Sequence, residues 1–339
     1  METVLEVTNL YKKFPYKTNF FGKTVKYLNA VNGVNFKLHK NEILGLVGES
    51  GCGKSTLGKT IVSLEKPSSG NSTINIDGEK IDLNSLDGKK FRKYKRYIRM
   101  LFQDPFTSLN PRLPVKDIIA EPLHVHYNYN KYQITEKVSE IMLKVGLDPN
   151  YMKRYPHSFS GGQRQRIAFA RALIMYPKIL VADEPVSALD VSIQAQVINL
   201  ILQLKKEFQL SIIFISHDLS VVDLVSDRIA VMYFGEIVEI GDKKDIINNP
   251  KHPYTEALLS AVPIPNNNNE LNNIKLTGEL PSPLDKITGC VFSSRCAYSQ
   301  EICKKKIPEF NNNIKKNHFY ACHFDQNLKG INSYLEAND

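Results

Sequence analysis

Gly48-Glu-Ser-Gly-Cys-Gly-Lys-Ser55 fits the pattern G-x-x-x-x-G-K-(S/T) without deviation. Its glycines let the backbone wrap closely around phosphates, so that successive N–H groups point inward. Residues 42–47, just before it, are almost all apolar, as expected of a strand buried on both faces. Residues 56–64, just after it, read as a helix whose start adds a positive dipole end. In that context Gly48, Glu49, Ser50, Gly51, Cys52, Gly53, Lys54, Ser55 and Thr56 are the expected nucleotide contacts. Lys54 would reach the β- and γ-phosphates and Ser55 would hold Mg²⁺. Cys52 takes a variable slot as a small filler, and its alkylation would block nucleotide entry.

Strand and helix signals alternate away from this loop, which implies an α/β fold with a parallel sheet. Residues 5–7, 34–38, 72–76 and 98–102 look extended, and strands return at 179–182, 211–216 and 228–240. Helical spacing marks 115–123, 135–145, 161–175 and 191–208. The stretch from about 104 to 171 is a plausible helical insertion into the core. Asn266 to Asn269, flanked by Pro263, Pro265, Pro281 and Pro283, read as a linker into a small cysteine-bearing tail.

The chain has 339 residues, which suggests about two domains. Hydrophobic residues make up 42% and charged residues 23%, so a disordered or collagenous chain is unsuited to this sequence. No run of about 18 apolar residues could span a membrane. The start, METVLEVTNL, lacks the pattern of a signal peptide, which makes the cytoplasm the expected compartment. A net charge of +9 is compatible with nucleic acid, acidic lipid or polyphosphate and does not choose among them. The basic run from Lys89 to Arg99 carries interleaved aromatics, but its plainest reading is a solvated face beside a nucleotide site.

Two further strand ends carry chemistry. Ile179-Leu-Val-Ala-Asp-Glu184 delivers two acids to the carboxyl edge of the sheet, where ligands bind in open α/β folds. Asp183 is expected to orient the Mg²⁺ shell and Glu184 to polarise the attacking water. Ser216-His217-Asp218 ends another buried run, where His217 could bond the γ-phosphate and steady the catalytic carboxylate. Gln103 ends the run 98–102 and could ligate Mg²⁺ through its amide oxygen. Finally, Ser160 is a good N-cap, and Gly161 and Gly162 after it expose the first N–H groups of a basic helix, a second anion site in one chain.

With Ser158-Phe-Ser-Gly-Gly-Gln-Arg-Gln-Arg166 the sequence resembles the ATP-binding cassette family over about residues 4–262. The resemblance implies a P-loop NTPase fold with a RecA-like core, an antiparallel β subdomain, an inserted α-helical subdomain (about 104–171) and a small C-terminal extension. Residues 1–262 would be the cassette and 263–339 the extension. Gly48 to Ser55 matches Walker A and Gln103 the Q-loop. Ser160, Gly161, Gly162 and Gln163 match the signature, which would contact ATP in trans. Asp183 and Glu184 match Walker B. Ser187, Ala188, Leu189 and Asp190 match the D-loop, and His217 the switch histidine. Glu184, His217 and Gln103 are the implied catalytic residues, and Ser55, Gln103 and Asp183 the implied Mg²⁺ ligands. Phe14 is the aromatic proposed to stack on adenine, with Tyr11 close by.

The match narrows at Phe102-Gln-Asp-Pro-Phe-Thr-Ser-Leu-Asn-Pro111, His252-Pro-Tyr-Thr255, Gly278-Glu-Leu-Pro-Ser-Pro283 and Gly289-Cys-Val-Phe-Ser-Ser-Arg-Cys296. These look like the oligopeptide/dipeptide importer ATPases, and the insertion 16–28 is more similar to their F subunit. The resemblance implies an ATPase at the cytoplasmic face of the membrane, paired head to tail with a second ATPase subunit. Its partners would be two transmembrane permease subunits and, indirectly, an extracytoplasmic solute-binding protein, with no nucleic acid. An importer for another solute such as nickel, or a cassette acting on nucleic acid or ribosomes, is the competing reading. Cys290, Cys296, Cys303 and Cys322 are spaced too loosely for a zinc ribbon. They resemble the region where some peptide importer ATPases carry a 4Fe-4S cluster; zinc and unliganded packing thiols remain the alternatives.

Overall fold

Strands Thr3–Thr18 (β1) and Thr24–His39 (β2) pair antiparallel and form a ribbon far longer than the short strands expected there. The pairing shifts register between Val7 and Leu10, Leu10 and Lys12, and Lys12 and Lys13. Each shift resets the two-residue alternation, so the ribbon shows no continuous apolar period in the sequence. With Ser69–Ile76 (β4) and Glu79–Asp82 (β5) it forms an antiparallel sheet of order β2-β1-β4-β5. These positions belong to a computed structural model that describes residues 2–18, 24–104, 108–187, 189–262, 281–282, 287–313, 317–324 and 328. The linker asparagines 266–269 and residues 278–280 lie outside the described residues.

The second sheet holds the site. Ile43–Val47 (β3), Ile179–Asp183 (β7), Ser211–Ser216 (β8) and Arg228–Tyr233 (β9) are buried along their whole length. Together with Ile98–Leu101 (β6) and Glu236–Asp242 (β10) they lie in the order β10-β9-β3-β8-β7-β6. The pairs from β6 to β9 are parallel, and β9 to β10 is antiparallel. The run 228–240, read as one extended segment, is therefore two strands. Phe234 and Gly235 both take positive φ, 47° and 84°, and turn the chain back on itself. That tight hairpin interrupts a mostly apolar run, with Gly235 and Glu236 as its marks in the sequence.

Helices Lys54–Ile61 (α1), Gly88–Lys95 (α2), Val115–His126 (α3), Lys131–Lys144 (α4), Gly161–Leu173 (α5), Val191–Phe208 (α6) and Leu219–Val225 (α7) follow in chain order. The expected insertion is represented by α3, α4 and α5, all between β6 and β7. They share one core, in which Ile119, Val138, Met142, Ile167 and Leu173 are fully buried. Asn130 caps α4 and Ser160 caps α5, each through a capping box.

After Lys243–Asn248 (α8) and Pro253–Ser260 (α9), the tail adds Glu301–Lys305 (α10) and the strands Asn311–Asn313 (β11) and His318–Tyr320 (β12). β12 pairs with β10, so the tail extends the main sheet. Two buried contacts hold it there. The Glu239 carboxylate accepts from the backbone N–H groups of Lys251 (2.7 Å) and His252 (3.0 Å) and lies 2.6 Å from His318 Nε2. Phe292 is buried against Tyr233 and Tyr254, with ring centroids at 5.2 and 5.4 Å. Truncating a buried Phe costs about 3–5 kcal/mol. Phe292→Ala is therefore expected to lower unfolding stability by about that amount in a denaturant titration; a loss below about 1 kcal/mol would contradict the docking of the tail.

Candidate functional site

β3 ends at Val47 and α1 begins at Lys54, so residues 48–53 form the loop between them. Gly53 caps α1 at φ +108°, and no side chain bonds the first helical N–H groups. A Cβ at Gly53 would collide with the carbonyl oxygen of Ala30. Only glycine fits, and the uncapped helix start is left for an anion. Lys54 is buried, and its ammonium donates to the carbonyls of Gly48 (2.7 Å) and Glu49 (2.8 Å). Cys52 is buried beside it, and burial pushes its thiol up in pKa.

The neighbouring strands bring acids to this loop. Ser55 Oγ donates to Asp183 Oδ1 at 2.9 Å. Burial pushes the Asp183 carboxyl up, and the bond from Ser55 pulls it back. A hydroxyl beside a buried carboxylate is a donor set suited to a hard divalent cation, so these residues fit Mg²⁺. Glu184 stands one residue beyond β7 in the left-handed region, φ 44°. Non-glycine residues held there store strain and cluster at functional sites. Its backbone N–H donates to Ile215 O at 2.9 Å, which ties the turn to β8. Its carboxylate lies 2.9 Å from Gln103 Nε2 and 3.2 Å from His217 Nδ1. Three residues from three strand ends thus converge. Gln103 sits two residues beyond the end of β6, slightly farther than expected, and engages Glu184 through its amide nitrogen.

The residues expected to form the signature lie at the start of α5. Ser160 Oγ accepts from Gln163 N (3.3 Å), and Gln163 Oε1 accepts from Ser160 N (3.1 Å). Gly162 packs so closely on α6 that a Cβ would press on Ile193. Asp190 caps α6 by accepting from Ile193 N at 3.0 Å, and Leu189 packs beside Gly161. Ser187 Oγ donates to Glu184 O at 3.2 Å. Leu189 and Asp190 therefore lie beside the start of α5 in the same chain. Ala188 lies outside the described residues.

A cleft of about 330 Å³ opens over the loop, lined by Ser50 to Thr56 together with Phe14, Gln103 and Glu184. Phe14 faces it, with the Lys12 ammonium 4.6 Å from its ring centre. Tyr11 does not line it. Asn29, Ala30, Phe234 and Gly235 also line the cleft and went unnoticed in the sequence. The glycine after an apolar strand was the signal for the last two.

The first part of the basic run is the solvated face expected of it, with Lys89, Lys90, Arg92 and Lys93 exposed, but Lys95 and Arg99 differ. Lys95 Nζ and Arg99 Nε and Nη2 are buried without a hydrogen-bond partner among the described residues. They line a groove of about 200 Å³ between β6 and helices α3 and α5, with Glu121 and Arg171 opposite. Burial pushes the Lys95 ammonium down to about 8, with Arg99 adding to the effect.

Cys290, Cys296, Cys303 and Cys322 line one small pocket with His252, Phe292 and Tyr298. Burial pushes Cys290 up to about 12 and Cys296 up to about 11. The free space between them is about 20 Å³. Among the described residues no group of three or more His, Cys, Asp and Glu side chains is arranged to hold a metal ion. The four-thiol donor set suits a cluster chemically, while the space among the thiols is too small for one unless they spread.

Residues 31–187 match the model of the ABC transporter family, and residues 238–303 match that of the oligopeptide/dipeptide transporter C-terminal region. The oligopeptide transport ATP-binding protein AppF of Bacillus subtilis is 51% identical, over 95% of this chain and 97% of that protein. The oligopeptide transport ATP-binding protein OppF of Escherichia coli is 47% identical, over 95% and 96%. A dimeric ATP-binding cassette in a post-hydrolysis state, bound to ADP and Pi, superposes with a TM-score of 0.60. It is 28% identical and covers 70% of this chain and 98% of its own. Fold and loop geometry agree in defining an ATP-binding cassette. Within that class, the chain belongs to the family of oligopeptide and dipeptide transport ATP-binding proteins.

Proposed function

We propose that this chain is the ATP-hydrolysing subunit that powers import of oligopeptides or dipeptides through an ABC transporter. The observation that carries the reading is the carboxylate of Glu184, held between Gln103 and His217 beside the Ser55–Asp183 pair. The peptide cargo rests on the oligopeptide transport for which relatives at 51% and 47% identity are named.

In this reading the N–H groups of residues 51–56 and the Lys54 ammonium grip the triphosphate. Phe14 stacks on the adenine. Ser55, Gln103 and Asp183 would hold Mg²⁺, which when bound would neutralise phosphate charge. Glu184 orients and polarises the attacking water, and His217 holds that carboxylate and reaches the γ-phosphate. Catalysis is then positioning and electrostatics, with no covalent intermediate on the protein.

The cap of α5 supports a second contact made in trans. Its first N–H groups, behind Ser160, Gly161 and Gly162, would serve as a second anion site of the chain. A partner cassette would present its own such turn to the ATP held here, with Ser187 to Asp190 alongside. The dimeric architecture of the cassette that superposes on this chain supports pairing. We infer a heterodimer with a second ATPase subunit, residues 1–262 acting as the cassette and 263–339 as its extension. No described helix is long and apolar enough to cross a membrane. Attachment would run through two permease subunits at the cytoplasmic face, with a solute-binding protein outside. The groove at Lys95 and Arg99, walled by both core and insertion, is a suitable seat for a permease segment carrying an acidic side chain. Two of the basic run's cations turn inward there, which argues against a nucleic-acid face.

We also infer that the four tail thiols, which line one small pocket, are candidate ligands of a 4Fe-4S cluster that would need them to spread apart, with zinc or unliganded packing thiols as the competing outcomes. No step of hydrolysis passes through it. Full-length protein purified without oxygen is expected to be brown and to contain iron and sulfide. A colourless, iron-free sample would overturn the assignment. For the nucleotide site, Glu184→Gln in the assembled transporter is expected to retain bound ATP while turnover falls at least about 100-fold. Hydrolysis near the wild-type rate would remove Glu184 from its role.

A further inference from the structure

Glu49 presents a difficulty for an anion site, because a carboxylate on the phosphate loop opposes the charge the loop must bind. The structure answers it with a residue 246 positions away. Arg295 Nη1 donates to Glu49 Oε2 at 2.7 Å and Nη2 donates to Oε1 at 3.1 Å. This is the parallel two-bond geometry that makes Arg–carboxylate pairs strong and directional. The Arg295 side chain is 7% exposed, so water does little to screen the pair.

The pair is anchored on both sides. On the loop side, Glu49 N donates to Tyr254 Oη at 2.8 Å, and Glu49 O accepts from the Lys54 ammonium. On the tail side, Arg295 N donates to Phe292 O at 3.0 Å, and Phe292 is buried against Tyr233 and Tyr254. The Arg295 guanidinium also lies 5.9 Å from the centre of the Tyr233 ring. Glu49 is thus turned toward the tail and is not among the residues lining the cleft.

We propose that Arg295 is a positioning residue of the nucleotide site: it cancels the charge of Glu49 and holds that carboxylate away from the phosphates. The tail is then part of the ATP site, and its docking sets the affinity of the loop. Without Arg295, the carboxylate is unpaired and free to turn toward the cleft, where it repels the triphosphate. The inference rests on the reading of residues 48–56 as an ATP site.

The test is the Kd of the full-length chain for MgATP, measured with wild type, Lys54→Ala, Arg295→Ala and the double variant Glu49→Gln/Arg295→Ala. Wild type is expected to bind and Lys54→Ala to lose binding, which checks the nucleotide site itself. Arg295→Ala is expected to weaken binding about tenfold or more, equivalent to about 1.4 kcal/mol. The double variant is expected to recover most of that loss, because removing the carboxylate removes the need for its partner. A merely structural role for Arg295 would leave the double variant as weak as the single one. If Arg295→Ala fails to fold, Arg295→Gln, which keeps a shorter polar side chain without the charge, is read the same way. An Arg295 variant that binds like wild type, or a double variant without recovery, overturns the proposal. Equal binding by wild type and Lys54→Ala would bring down the nucleotide reading and this inference together.

Discussion

A left-handed turn at Gly53, closed against the backbone of Ala30, is the constraint on which the site depends. It lets α1 start without a side-chain cap after the short loop that follows a buried strand. Lys54 then lies under its own loop, its ammonium on two carbonyls. Uncapped N–H groups and a buried cation at one place make a strong site for a polyanion. The acids of β7 stand close by because the parallel order β3-β8-β7 brings three carboxyl ends to one edge.

Like charges are kept apart by geometry. Asp183 meets Ser55, at the phosphate side, while Glu184 turns through a strained φ to meet Gln103 and His217. Two adjacent carboxylates thereby serve different partners. Glu49, a third acid near the loop, is directed to the tail. The tail joins the main sheet through β12, fills an aromatic cage with Phe292 and reaches the loop with Arg295. A segment that resembles an appendage is in contact with the phosphate site.

Much of this was legible in the sequence. The phosphate loop, the Asp183-Glu184 strand end, His217 and the cap at Ser160 are local patterns in which a few backbone torsions determine the outcome. What escaped was non-local or broke a period. The ribbon β1–β2 hides behind its register shifts. The turn at Phe234-Gly235 sits within a mostly apolar run. The inward turn of Lys95 and Arg99 is decided by the helices packed over them. The Glu49–Arg295 pair joins two motifs that were each noticed, yet no spacing rule connects residues so far apart in the chain.

The central claim is that one ATP is gripped by the loop of this chain and by the capped helix start of a neighbouring cassette. The most direct measurement is the distance between two spin labels in the assembled transporter. One label stands beside the phosphate loop of this chain and the other beside the signature turn of the partner ATPase. Addition of ATP under conditions that block hydrolysis is expected to replace a long, broad distance distribution with a short, narrow one. A distribution that does not change on saturation with ATP would contradict the account.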